Sequence, residues 1–210
     1  LSIIFVFYIF EIKLMIYPKE DIHKKILNKK IDLFNQSSEK KFDTRSKFEI
    51  YKDFKNNGTV ITTNPSDLID GISNDDFVPL SGISNSETIF CNENGYYSTY
   101  KSDRFGFNNP DEAWNSESIE YLLIGDSFVH GACVNRPHDI TSSLRKVSNS
   151  SAINLGYRSN GPLLNLATLI EYSPDKVKNI LWIYYEENDL VDLNGEIIFN
   201  PPVNFLLNYL

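Results

Sequence analysis

Histidine and cysteine are scarce in this chain, with three of the first and two of the second in 210 residues. Cys91 and Cys133 cannot build a structural zinc site by themselves, and no histidine stands near them at ligand spacing. No metal and no cofactor is therefore expected. A basic block is also missing. The formal net charge is −8, and the scattered lysines and arginines of 18–52 do not cluster, which argues against nucleic acid as a partner. A complete membrane span is lacking as well. Leu1 to Phe10 is apolar and the run resumes past Glu11 and Lys13 as far as Tyr17, short of the roughly 20 residues a span needs. Almost no polar residue precedes Glu11, so an amphipathic helix would have no polar face. Residues 1–17 read as the last part of a transmembrane anchor, with the rest of the chain extracytoplasmic.

What is present is enough for one good core. The hydrophobic fraction is 41%, ordinary for a globular protein. Residues 18–57 are polar, with weak helical spacing at Ile22, Ile26 and Ile31, and suit a stalk. Residues 58–118 carry short β-prone pieces (Thr59–Thr63, Thr88–Cys91, Tyr96–Tyr100) between Gly, Asn, Pro and Ser turns, the pattern of a β-rich extension. Within it Tyr97, Tyr100, Arg104, Phe105, Phe107 and Trp114 form an aromatic group. Core packing accounts for such a group, and the wall of a cleft is the second reading.

From Ile119 the pattern becomes regular, marking 119–210 as an α/β domain. Tyr121–Ile124 is a continuous apolar run closed by Gly125, which suits a strand buried on both faces. A helix is expected over Pro137–Val147 and a strand over Ala152–Leu155. A second helix follows, capped by Asn160 and running to Tyr172, then another apolar strand over Asn179–Tyr185. This alternation predicts a parallel sheet with helices on its faces, and such sheets place their sites just beyond the carboxyl ends of the strands.

Three segments occupy those ends. The first is Gly125-Asp126-Ser127-Phe128, where glycine lets the chain leave the strand sharply and Ser127 opens a helix. Ser127 reads either as a nucleophile whose own N–H faces a developing oxyanion or as a helix cap. The Gly-x-Ser-x-Gly elbow is absent, because position 129 is Val. The second is the polar loop Asn154 to Gly161. The third is Glu186-Glu187-Asn188-Asp189, in which Asn188 can offer a side-chain donor or cap a helix.

Together, and in this order, these segments resemble the first three conserved blocks of the SGNH hydrolases, also called GDSL esterases. The resemblance covers Ile119–Leu190. It implies a three-layer α/β/α flavodoxin-like parallel sheet, with Ser127 as nucleophile and first oxyanion donor. It also implies a second donor from the backbone of Ser159 and a side-chain donor from Asn188. Gly161 is the substitute second donor, and Gly161 and Asp126 are expected at the substrate. Ser159 stands where the family has glycine, and Glu187 where glycine precedes the Asn.

The family's Asp-x-x-His block, which supplies the base, does not occur in 1–210, and His23, His130 and His138 read as surface or partly buried residues. The resemblance thus implies a serine esterase or O-acyltransferase whose base lies outside this sequence. Its partners would be an acyl ester or carbohydrate, such as O-acetylated cell-surface polysaccharide. The alternative is a non-catalytic module that binds glycan or protein. Cys91 and Cys133 are either one disulfide, if the domain faces an oxidising compartment, or two buried thiols.

Overall fold

The computed structural model describes Tyr8 and residues 22–56, 61–63 and 79–199. Apart from Tyr8, the expected anchor (1–17) lies outside the described residues, and no helix among them is long and apolar enough to cross a membrane. The chain divides into two compact units, 1–44 and 45–210.

In the first unit helix α1 spans Ile22–Ser37. The chain after it folds back locally: the Phe42 N–H donates to Asn35 Oδ1 at 2.8 Å, and the Phe42 ring meets Phe34 edge-on at 5.5 Å.

The second unit opens with α2 (Lys47–Asn56). A capping box starts it: Ser46 N–H donates to Glu49 Oε2 at 2.7 Å, and Glu49 N–H returns to Ser46 Oγ at 3.3 Å. Its buried residue Ile50 packs against Ile89, with Tyr51, Phe54 and Tyr97 around the pair. Residues 45–56 therefore contribute to this unit's core. Strands β1 (Ile61–Thr63), β2 (Glu87–Ile89) and β3 (Thr99–Lys101) form a small sheet, β1 parallel and β3 antiparallel to β2. Cys91 and Cys133 are joined by a disulfide, with Cα atoms 4.8 Å apart. It ties the end of this sheet to the turn after the Ser127 helix.

The main architecture is mixed α/β. Strand β4 (Ile119–Gly125) lies between β5 (Ala152–Asn154) and β6 (Val177–Ile183), both parallel to it, in the order β5-β4-β6. Helices α3 (Ser127–His130), α4 (Ile140–Ser148), α5 (Pro162–Tyr172) and α6 (Asp189–Phe199) accompany the sheet. The continuous apolar text of β4 has a simple cause. Leu122 and Ile124 point into one core with Phe107, Ile119, Ile153 and Leu155, whereas Leu123 points into another with Val129 and Ala152. Alternate residues of a strand face opposite sides, so the stretch 122–124, covered on both sides, is apolar throughout. Each such buried aliphatic side chain contributes roughly 1.5–3 kcal/mol.

Several boundaries differ from expectation. Helix α4 starts at Ile140 rather than Pro137, because the Asp139 carboxylate caps it by accepting the Ser142 N–H at 2.8 Å. The cap of α5 is Gly161, one residue beyond Asn160. Strand β6 runs two residues earlier than Asn179–Tyr185 and is not buried: Ile180 is 51% and Trp182 46% exposed. Among the described residues it has one strand neighbour, β4, so one edge and much of both faces stay open.

The aromatic group of the extension is mainly core. Phe107 and Tyr100 are buried, and Trp114 Nε1 donates to Asp103 Oδ2 at 2.8 Å. Phe105 leans edge-on against Trp114 and Tyr172, and Arg104 pairs with Asp111 at 2.8 Å.

Candidate active site

Strand β4 delivers its last residues into a sharp turn. Gly125 has φ +153°, and a Cβ there would stand 2.7 Å from the Ile183 carbonyl oxygen and from Val129 Cγ2, so only glycine fits. Asp126 caps α3 through Phe128 N–H, which donates to its Oδ1 at 3.1 Å. Ser127 is half-buried at the start of that four-residue helix.

The Ser127 hydroxyl donates to Asp126 Oδ2 at 3.2 Å. The same oxygen accepts Asn188 Nδ2 at 2.9 Å. One carboxylate thus brings together the serine after β4 and the asparagine after β6. Asp126 is only 3% exposed. Expected at the substrate, it is a buried hub between Ser127 and Asn188 in this structure.

Asn188 is fully engaged on its donor side. Its second amide hydrogen goes to Asp192 Oδ2 at 3.0 Å, while its Oδ1 is buried without a partner among the described residues. That orientation is forced, since a flipped amide would set its carbonyl against two carboxylates. Among the described residues, Asp126, Asp189 and Asp192 form the group able to share a cation, with carboxylate oxygens within 4.8 Å of one another. The Asn188 amide bridges two of these acids. Burial first, and the charge of Asp126 second, push the Asp189 and Asp192 carboxyls above their ordinary range, against the hydrogen bonds each accepts.

The second loop is held from behind. Asn154 donates to the Val129 carbonyl at 2.6 Å and accepts the Gly156 N–H at 2.7 Å. A Cβ on Gly156 would collide with Val129 at 2.4 Å, so this loop packs directly on α3. Ser159 is exposed, with φ +65°, a conformation that favours glycine. Gly161 has another task. Glu196, which is 4% exposed, lies where a Gly161 Cβ would be and accepts the N–H groups of Leu163 and Leu164 at 3.0 and 3.2 Å. That carboxylate from α6 caps α5 and fills the space beside Gly161.

His130 is not a base for Ser127. Its Nδ1 accepts the Arg158 N–H at 3.1 Å, so Nε2 carries the proton, 2.9 Å from Tyr100 Oη. Tyr157 stacks on it at 4.9 Å and Phe90 lies 4.2 Å away. Burial, with the Arg158 charge second, lowers its pKa to about 3. It is a neutral core residue.

Reading the sequence missed Asp103, Asn109 and Glu196. The Asn109 side chain donates to the Asn154 carbonyl at 2.8 Å and accepts the Asn154 N–H at 2.9 Å, standing in for a strand neighbour of β5. Arg145 Nη2 braces it at 2.7 Å, and Asp103 accepts its Nδ2 at 2.8 Å. The signal available was the turn-rich run Asp103-Arg104-Phe105-Gly106-Phe107-Asn108-Asn109 directly ahead of β4. Glu196 carried none. A polar cleft of about 540 Å³ lies between Lys101, Asp111, Glu112 and Arg136, and none of Ser127, Ser159 and Asn188 lines it.

Comparison with protein-family models, with curated proteins and with solved structures yields no match to this chain.

Proposed function

We propose that the chain carries the nucleophile region of an SGNH-type serine esterase or O-acyltransferase, acting on an ester such as an O-acetylated surface glycan. One observation carries the reading: Ser127, at a helix start after the central strand, is linked through Asp126 to Asn188 after the neighbouring strand. The three-layer flavodoxin-like arrangement belongs to this same proposal.

Ser127 Oγ attacks the acyl carbonyl, its proton passing to a base, and the alcohol leaves with a proton as the acyl-serine forms. The N–H groups of Ser127 and Ser159 hold the oxyanion, joined by Asn188 once it gives up Asp126 or Asp192. The acyl group then passes to water or to a hydroxyl acceptor. The base is the family's histidine, which the sequence 1–210 does not include; His130 has both nitrogens committed. Anchoring through 1–17 and an extracytoplasmic location complete the proposal, and the Cys91–Cys133 bond suits an oxidising compartment.

A second reading, a non-catalytic glycan- or protein-binding module, draws support from the Asn188 amide hydrogens, both of which are already engaged. Treatment of the full-length protein with a serine-directed fluorophosphonate separates the two. Labelling at Ser127, lost in Ser127→Ala and slowed about 10²-fold in Asn188→Ala, supports the enzyme. A folded protein that stays unlabelled leaves the binding module.

A further inference from the structure

Phe128 follows the nucleophile directly, yet its ring is 52% exposed. It meets the ring of Tyr185, itself 39% exposed, edge-on at 5.1 Å. Two aromatic rings thus stand open to solvent at the carboxyl end of the sheet, one beside Ser127 and the other three residues before Asn188. Their edges are acidic. The Tyr185 hydroxyl donates to the Glu187 carboxylate, which fixes both side chains; Glu186 is exposed beside them. Asp189 Oδ2 accepts the Tyr185 N–H at 2.7 Å, and Asp126 and Asp192 are grouped with Asp189. An apolar step with carboxylates around it has a definite chemistry. The rings offer a face to the C–H side of a saturated ring, the carboxylates accept hydroxyl protons, and the combined field repels an anion.

We infer that the Phe128–Tyr185 step is the subsite for the alcohol part of the substrate, and that it takes a neutral sugar ester while rejecting an anionic one. The inference rests on the esterase reading of Ser127 for its orientation: the sugar ring lies on the aromatic step and its ester reaches the serine. Glu187, unusual for the family at its position, then acts in selection, as the fixed acceptor for a sugar hydroxyl and a charge against uronate or phosphate groups.

The test uses the full-length protein and two mono-O-acetylated probes that keep their other hydroxyls and differ at C6, a methyl glucoside with its neutral hydroxymethyl group and the matching methyl glucosiduronate with a free carboxylate. Binding is read directly by saturation-transfer NMR, and protection of Ser127 from fluorophosphonate is read separately. The glucoside should bind at least tenfold more tightly at low salt, with the gap narrowing at high ionic strength. Phe128→Ala should weaken glucoside binding about tenfold, and Glu187→Gln should bring the glucuronate closer to it. Equal binding of the two probes, or a Phe128→Ala protein that binds as before, overturns the subsite. Selective binding without labelling of Ser127 keeps the subsite and removes only the esterase reading.

Discussion

The central strand β4 has two neighbours that differ in how they are held. On the β5 side, every residue of the strand is buried, its outer edge is taken up by the Asn109 amide, and Asp103 and Arg145 hold that amide in place. On the β6 side, the strand faces solvent, three carboxylates crowd together, and buried oxygens of Asn188 and Asp189 lack partners among the described residues. Ser127 lies at the seam. The half around β5 is closed before any ligand arrives, whereas on the esterase proposal the half that carries Asn188 would have to exchange partners to act on an oxyanion. A site divided in this way should respond unequally to perturbation.

The largest effect is expected at Asp103. Its two oxygens accept four donors: the N–H groups of Phe105 and Phe107 at 2.9 Å, and Asn109 Nδ2 and Trp114 Nε1 at 2.8 Å. Asp103→Ala leaves all four without that acceptor and should cost about 5 kcal/mol or prevent folding. The equivalent loss on the other side, Asp192→Ala, removes one hydrogen bond and a crowded charge, so chemical denaturation should show little change. Equal losses for the two variants would break the comparison.

Acid should divide the halves by sign. His130 has a pKa of about 3 in the fold, below the 6.5 of a free histidine. The folded state therefore binds fewer protons than the unfolded one between these values. Its contribution is present above about pH 6.5 and is lost as pH falls toward 3, on the order of 4 kcal/mol at the end of that window. Asp189, Asp192 and Glu196 have raised values, and for Glu196 burial outweighs the backbone N–H groups it accepts. Their protonation favours the folded form as pH falls. Amide hydrogen exchange at pH 7 and pH 4 should show protection falling around α3 and persisting at the start of α5. Uniform loss across both would contradict this assignment of charges.

The disulfide belongs to the closed half. Joining Cys91 to Cys133 constrains a separation of 42 residues, and Cys91→Ser with Cys133→Ser should lower stability by about 3 kcal/mol. Thermal melts of the oxidised, reduced and doubly substituted protein should place the last two together.

How much of this was legible in the sequence follows the same division. The apolar run Tyr121–Ile124 stood out because both faces of β4 are buried, and Gly125 because the turn leaves no space for a Cβ. Strand β6 reads just as apolar, but its exposure depends on what lies beside it, which no local pattern records. Asp126 illustrates the limit within the site. Its place in the Gly-Asp-Ser run was plain, yet its work as a link to Asn188 spans 62 positions and appears only in three dimensions. The same holds for Glu196, an ordinary helix acid by sequence, which caps a helix 32 positions earlier.

Ser159 gives the smallest effect. Its backbone sits at φ +65°, where a Cβ crowds the following carbonyl at a cost of about 1 kcal/mol that glycine avoids. Ser159→Gly should therefore raise stability by about 1 kcal/mol, less whatever glycine gains in unfolded-state entropy. Fluorophosphonate labelling of Ser127 should be unchanged or faster, since the backbone donor is kept. A loss of labelling would mean that the Ser159 hydroxyl contributes to the site. The second donor would then be a side chain, and the division between a fixed half and an adjustable half would run through this loop as well.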